Sequence, residues 1–295
     1  MTQLKDRLAE VRVLLDASID KKLNLPMGKE KRLVKSMRYS ALGGGKAFRA
    51  FLVLTVGEIL GLKKESALQI ATALEMVHTY SLIHDDLPAM DNDTMRRGKA
   101  TNHIQFDEAT AILAGDALLT NAFEILSDPE THEKPETRCQ LVNFLAKMAG
   151  KEGMCAGQML DLIGEKENLN LEEVRQLQTL KTGALLRFAV LAPAIATQTT
   201  EEIQKNLETY ASCIGLMFQM TDDILDIEGN EKLMGKTLGK DKIKTKSTFV
   251  TLMGLEATRQ KAYDLGEKAK GALASFGEKA NLLLEASDFI LERKS

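Results

Sequence analysis

Residues 219–229 read QMTDDILDIEG, and the spacing inside that stretch decides the class of fold. Gln219, Asp222, Asp223 and Asp226 fall at i, i+3, i+4 and i+7, which places all four on one face of an α-helix. The helical period recurs outward in both directions. Toward the N-terminus, Leu4, Leu8, Val11 and Leu15 make the first apolar stripe. A second helix over about 28–42 is stopped by Gly43-Gly44-Gly45, and a third over 46–60 ends at Gly61, a residue suited to a left-handed cap. A fourth runs from about 65 to Pro88, which does not normally continue a helix.

A polar loop at 92–103 is followed by helices at 105–127 and 136–157, with Pro135 suited to a first helical position. Asn170 and Glu173 form a capping-box pattern that opens the helix carrying Lys181, and Pro193 should kink or end it. Thr200 opens a further helix, which carries the apolar run to Asp226 and should stop near Gly229. A lysine-rich loop over 229–246 and two more helices close the chain. No low-complexity linker or fixed-period repeat divides it. The expected architecture is an all-α single domain over 1–295, of roughly ten helices, too many for a simple four-helix bundle.

Composition agrees. Of 295 residues 44% are apolar, enough for a substantial core and against general disorder. Five prolines, no tryptophan and 5% aromatics disfavour a β-sandwich or barrel. Thirty-nine basic residues against 42 acidic ones leave a net charge of −3, which argues against a nucleic-acid partner recruited by overall positive charge. The longest uncharged stretches, 188–200 and 209–221, fall short of the ~20 apolar residues a bilayer span requires. The opening MTQLKDRLAE has no apolar signal core, and Cys139, Cys155 and Cys213 are widely spaced without a CxxC. A cytoplasmic protein with reduced thiols and no membrane anchor is expected. The four histidines form no zinc-ligand spacing with those cysteines.

The chemistry is concentrated in two acid clusters. Residues 84–93 read HDDLPAMDND, so Asp85, Asp86, Asp91 and Asp93 crowd the C-terminal end of a helix, and Asp222, Asp223 and Asp226 do the same in the opening stretch. The helix dipole disfavours carboxylates there, and like charges in close company disfavour each other further. Either cluster alone reads as a solvated helix end. Two of them, each a DD pair followed by a third Asp, suit Mg²⁺, which takes one or two carboxylates together with waters and phosphate oxygens. Six residues separate Asp85 from Asp91 with Pro88 between, so a distorted turn must bring Asp91 back toward Asp85.

Cations flanked by glycine alternate with these acids, as a phosphate-bearing substrate would require. Gly43-Gly44-Gly45-Lys46, with Arg49 three residues on, opens a helix where backbone N–H groups and the positive dipole end meet. Arg96-Arg97-Gly98 follows the first acid cluster, and Lys181-Thr182-Gly183 sits within a helix beside apolar residues, where a lysine pairs or snorkels. Lys236, Lys240, Lys242, Lys244 and Lys246 face only Asp241 in their span. His78 precedes Asp85 by seven residues on the same face; a lone histidine there is more often a satisfied core residue than a ligand.

Taken in order, GGGK, DDLPAMD, RRG, KTG, FQMTDDILD and GK…KST resemble the trans-isoprenyl diphosphate synthases over essentially the whole chain. The four-residue DDxxxxD spacing after Tyr80-Ser81-Leu82-Ile83-His84 is most similar to the bacterial farnesyl diphosphate synthase subgroup. The resemblance implies the isoprenoid-synthase fold around a central active-site cavity, Mg²⁺ as cofactor with three ions per active site, and a homodimer. It implies that Asp85, Asp91 and Asp222 hold the ions with Asp226 beside them. Arg96, Lys181, Lys236 and Lys246 would bind the allylic diphosphate, and Lys46, Arg49, His78 and Arg97 that of isopentenyl diphosphate. Thr182 and Gln219 would lie beside the reacting carbons, Gln158 and Asp161 would support the site from behind, and Tyr80 would floor the product cavity.

The chain departs from the family's usual GGKRxRP in carrying Ala47 for the middle arginine and Ala50 for the proline, and Thr94 and Ala100 also differ. No departure removes an implied metal ligand. The implied reaction is Mg²⁺-dependent ionisation, condensation and elimination giving farnesyl diphosphate, in a dry cleft faced by both acid clusters. A geranyl or geranylgeranyl product is the alternative within the family. A terpene cyclase, whose second metal motif differs, or a non-catalytic partner subunit lacking such motifs, fits less well.

Overall fold

The computed structural model describes residues 2–234 and 247–292, which are almost entirely helical and form two compact units. One comprises residues 2–145 and 192–198, the other residues 146–191 and those from 199 onward.

In the N-terminal unit, α1 (Thr2–Lys22), α2 (Lys31–Ala41), α3 (Phe48–Ile59) and α4 (Lys64–Asp85) precede a hairpin of β1 (Met95–Arg96) and β2 (Lys99–Ala100). A short α5 (Asn102–Gln105), α6 (Glu108–Ser127) and α7 (Pro135–Ala149) follow. Leu4, Leu8, Val11, Leu15 and Ile19 form the buried stripe of α1, as their spacing predicts. Helix α4 is the axis of the unit and packs against α1, α3 and α6. It can do so on several sides because Ile70, Ala71, Leu74, Met76, Val77 and Ile83 are all buried. Each large apolar side chain so buried contributes about 2 kcal/mol by leaving water.

The polar loop expected at 92–103 is more ordered than that. Arg97 (φ 52°) and Gly98 (φ 76°) make the two-residue turn between β1 and β2, both in the left-handed region that such a hairpin demands. Tyr39 Oη donates to Ala100 O at 2.8 Å, and buried Asn102 exchanges hydrogen bonds with Ser36 and Ser40, so α2 carries the hairpin.

In the C-terminal unit, α8 (Met154–Gly164) and α9 (Leu171–Gln178) lead into a π-helical turn over Thr179–Gly183 and then α10 (Ala184–Ala196), whose last residues fall in the other unit. The long α11 (Glu201–Met234), α12 (Phe249–Met253), α13 (Leu255–Ala272) and α14 (Asn281–Glu292) complete it. Helix α11 packs on α13 and α14, its Leu207, Ile214 and Met217 are buried, and Tyr210 Oη donates to Leu283 O at 3.0 Å.

The capping box at Asn170 and Glu173 is present. Three boundaries differ from the sequence reading. The expected helix over 136–157 breaks between α7 and α8, at a point where a Cβ on Gly153 would stand 2.0 Å from Met148 O. Pro193 lies inside α10, one turn before its end. Helix α11 passes through Gly229, since one helical glycine costs only about 1 kcal/mol relative to alanine.

Candidate active site

In the N-terminal unit, α4 ends in the distorted turn that the Asp85–Asp91 spacing calls for. Asp91 N–H donates back to Asp85 O at 2.9 Å, and Asn92, in the left-handed region at φ 55°, donates to Leu87 O at 3.1 Å. Pro88 is exposed on this turn, where its missing N–H leaves no gap. The two aspartates of the DD pair part company. Asp86 is buried, 3% exposed, and receives Arg96 in a fork: Nε lies 2.7 Å and Nη2 2.6 Å from its Oδ1. Asp85 is half-buried and Asp91 exposed. Arg96 thus offsets the carboxylate charge that the α4 C-terminus disfavours, and its hydrogen bonds to Asp86 raise its own pKa.

The next residue goes elsewhere, because Arg96 ends strand β1 whereas Arg97 lies in the left-handed turn that follows. The Arg97 guanidinium lies against Gly44 and Gly45, where a Cβ would stand 2.5 Å and 2.8 Å from its atoms. That close approach, with φ 75° at Gly45, is the physical reason for glycine there. Beside this turn a cavity of about 210 Å³ is lined by Tyr39, Gly43, Thr79, Asp86, Arg96 and Arg97, among others.

Lys46 is exposed just ahead of α3, and Arg49 Nη1 lies 3.4 Å from His78 Nε2 on α4. Burial holds His78 well below its ordinary pKa of 6.5, and the charges of Arg49, Arg97 and Arg96 reinforce this. The ring is therefore neutral, and because a guanidinium only donates, Nε2 accepts the Arg49 hydrogen bond. Tyr80 is buried with its ring edge-on to His84, centroids 5.7 Å apart. Ala47 and Ala50 are both buried.

In the C-terminal unit the second acid cluster lies on an uninterrupted helix. Asp223 is 7% exposed, accepts Phe249 N–H at 2.9 Å, and meets Gln219 Nε2 at 3.4 Å. Burial raises its pKa to about 6, with its hydrogen bonds opposing and Asp222 and Asp226 adding to the rise. Asp222 is half-buried and Asp226 exposed. Gln219 also accepts Thr182 Oγ1–H at 3.4 Å, bringing two expected site residues together.

Lys181 and Thr182 sit in the π-helical turn, a distortion that often marks functional positions. Lys181 Nζ donates to buried Asp161 Oδ2 at 2.6 Å. The Gly157 position on α8 allows the turn to approach, since a Cβ there would meet Lys181 N at 2.1 Å. Gln158 is half-buried, and its Nε2 has no hydrogen-bond partner among the described residues. Lys236, Lys240, Asp241, Lys242, Lys244 and Lys246 lie outside the described residues.

Among the described residues no three His, Cys, Asp or Glu side chains converge into a ready-made metal cage. The donor set still fits Mg²⁺, because hard carboxylate oxygens stand in pairs and this ion completes its shell with water and phosphate.

The sequence profile of the polyprenyl synthetase family matches residues 30–281. The chain belongs to that family. Among polyprenyl synthetases it is 43% identical over 290 residues to the farnesyl diphosphate synthase of Micrococcus luteus, covering 98% of this chain and 99% of the relative. It is 47% identical over 267 residues to that of Haemophilus influenzae, covering 89% of each. The solved structure of an FPP/GFPP synthase from Zymomonas mobilis matches with a TM-score of 0.91 at 40% identity, over 98% of this chain and 99% of that one. The all-α fold is accordingly that of the isoprenoid synthases.

Sequence reasoning missed three features of this polyprenyl synthetase. It did not separate the buried member of each DD pair from its neighbour, although both sit second in the pair. It read Arg96 as a substrate ligand and did not foresee its fork on Asp86. It did not single out Arg12, Asp16 or Glu75, which the structure gathers beneath the triple glycine.

Proposed function

We propose that the protein is a prenyltransferase that joins isopentenyl diphosphate head-to-tail to dimethylallyl or geranyl diphosphate, giving farnesyl diphosphate and diphosphate. The observation that carries this reading is the repeated division of labour in the two acid clusters. Each buries and hydrogen-bonds its second aspartate while leaving flanking carboxylates accessible. The chain is read as a single polyprenyl synthase domain over 1–295, and turnover requires the carboxylates of both acid clusters.

In this reading Asp85 and Asp91, and Asp222 with Asp226, would hold Mg²⁺, three ions in all, and the metal would supply positive charge to offset that of the departing diphosphate. Lys46, Arg49, His78 and Arg97 bind isopentenyl diphosphate. His78, being neutral, accepts from Arg49 and aims that guanidinium without adding charge. Arg96, Lys181, Lys236 and Lys246 bind the allylic diphosphate, with Arg96 held by Asp86 and Lys181 by Asp161. Thr182 and Gln219, hydrogen-bonded to each other, present polar atoms beside the reacting carbons, where charge builds as the allylic C–O bond breaks. The double bond of isopentenyl diphosphate then attacks the cation, and the released diphosphate removes the proton. Apolar walls keep water from the cation.

Tyr80 forms the floor that limits the product to fifteen carbons, braced by His84, whose Nε2 lies 3.1 Å from Ile112 O. The protein works in the cytoplasm as a homodimer whose contact includes Ile112 and Leu113, exposed on α6. Light scattering should give twice the chain mass.

Incubation with dimethylallyl and isopentenyl diphosphates plus Mg²⁺ should yield mainly farnesyl diphosphate, and chelation should stop it. A geranyl or geranylgeranyl product would move the chain within its family, and a cyclised hydrocarbon would reject the reading. The Tyr80→Ala variant should give longer products by chromatography; an unchanged profile removes the floor.

A further inference from the structure

Glu75 is a buried charge that the reaction above leaves without a role. It sits on α4 one turn before His78 and is 4% exposed. Three arginines from three separate segments surround it electrostatically: Arg12 of α1, Arg49 of α3 and Arg97 of the hairpin turn. Arg12 Nη1 lies 3.8 Å from its Oε1. Burial raises the pKa of Glu75 and Asp16 adds to the rise, while the three arginines oppose it. A carboxylate in the interior persists as an anion only where cations compensate the water it has lost.

The reciprocal effect matters more. Arg49 and Arg97 repel each other, and Glu75 opposes the effect of burial on both. Arg12 has a second engagement. Its Nη1 donates to Gly44 O at 2.8 Å, and it pairs with Asp16, whose Oδ1 accepts Gly43 N–H at 3.1 Å. Helix α1 thereby holds the triple-glycine turn from below while the Arg97 side chain lies on it.

We propose that Glu75 and Arg12 are positioning residues of the isopentenyl diphosphate pocket. Glu75 is the internal counter-charge that holds Arg12, and Arg12 fixes the glycine turn against which Arg97 rests. The inference rests on the reading of that pocket given above. It assigns the N-terminal helix a part in recognising one substrate and not the other.

The test measures equilibrium binding of isopentenyl diphosphate to the full-length protein by calorimetry in EDTA, since the pocket is built from cations. KM for isopentenyl and for geranyl diphosphate is then measured separately with Mg²⁺. Glu75→Gln and Arg12→Gln should each weaken isopentenyl diphosphate binding, and raise its KM, by about tenfold, with kcat and the geranyl diphosphate KM changed by less than about twofold. Arg12→Lys, which keeps the charge but not the fork, should recover part of the loss.

Unchanged or tighter binding in both Gln variants, or an equal rise in both KM values, overturns the proposal in favour of a charge cluster that serves folding alone. If Glu75→Gln does not fold, the Arg12 pair decides the matter, because that side chain is half-buried on a different helix. Wild-type protein that binds no isopentenyl diphosphate also overturns it. Binding with the predicted losses but no condensation would uphold the positioning role and reject the reaction.

Discussion

The two acid clusters carry the same DD pair yet are held by different means. In the N-terminal unit a helix ends, the chain turns on Pro88, and Arg96 clamps Asp86, so charge answers charge. In the C-terminal unit the helix runs on, and Asp223 is held by the Phe249 backbone N–H and the Gln219 amide, with no cation paired to it among the described residues. The difference extends to the neighbouring groups. The first unit holds Arg12 against buried Glu75 and Asp16, whereas the second sets Lys181 by backbone distortion and the close approach of Gly157 as well as by its ion pair with Asp161. Electrostatics dominates around the first cluster, and backbone packing carries more of the second. Stability and pH should act on them unequally.

The largest effect should be common to both. Asp85→Asn and Asp222→Asn should each lower the condensation rate by about 10³ or more with the helical circular-dichroism signal intact. Loss from only one of them would confine the metal chemistry to a single unit. Next comes Gly157→Ala, whose Cβ meets rigid backbone at Lys181 N; it should destabilise by about 3 kcal/mol in urea titration. Gly45→Ala meets instead the movable end of Arg97, in a positive-φ turn, and should cost about 1–2 kcal/mol. Equal losses would contradict the contrast between packing and charge.

The second aspartates should separate further. Asp86→Asn breaks the fork to Arg96 and should cost about 2 kcal/mol of stability. Asp223→Asn keeps an acceptor for Phe249 N–H and removes a poorly solvated charge, so it should change stability by less than about 1 kcal/mol.

The smallest effect is a pH limb. The unfolded chain protonates His78 near its ordinary 6.5, while the folded protein resists protonation until well below that value. This pKa is depressed in the fold, so the stability it contributes is full above 6.5 and is lost as pH falls below it. Melting temperature should decline faster between pH 7 and 5 in the wild type than in His78→Gln. Parallel curves would place the acid sensitivity elsewhere.

Much of this was legible in advance. The heptad stripe of α1, the capping box at Asn170 and the four-residue face at 219–226 depend on one element and its own period. The backward turn at Asp91 followed from six residues and a proline. The hairpin was not legible, because strands of two residues are too short to show an alternating pattern, and the Arg97-Gly98 turn looked like ordinary loop. The break between α7 and α8 turns on carbonyls crowding Gly153, which no local pattern records.

Residue types and their spacing alone determined that the protein is helical, that carboxylates gather at two helix positions, and that glycine-flanked cations accompany them. Within one helix the rise and turn per residue are constant, so neighbours on a face can be counted off. Which member of each DD pair is buried, which arginine of the RRG turn clamps an aspartate, and the meeting of Arg12 with Glu75 across 63 positions of chain were decided by tertiary packing. Such encounters depend on how whole elements dock, and docking is driven by apolar burial summed over many residues, not by the charged groups it brings together.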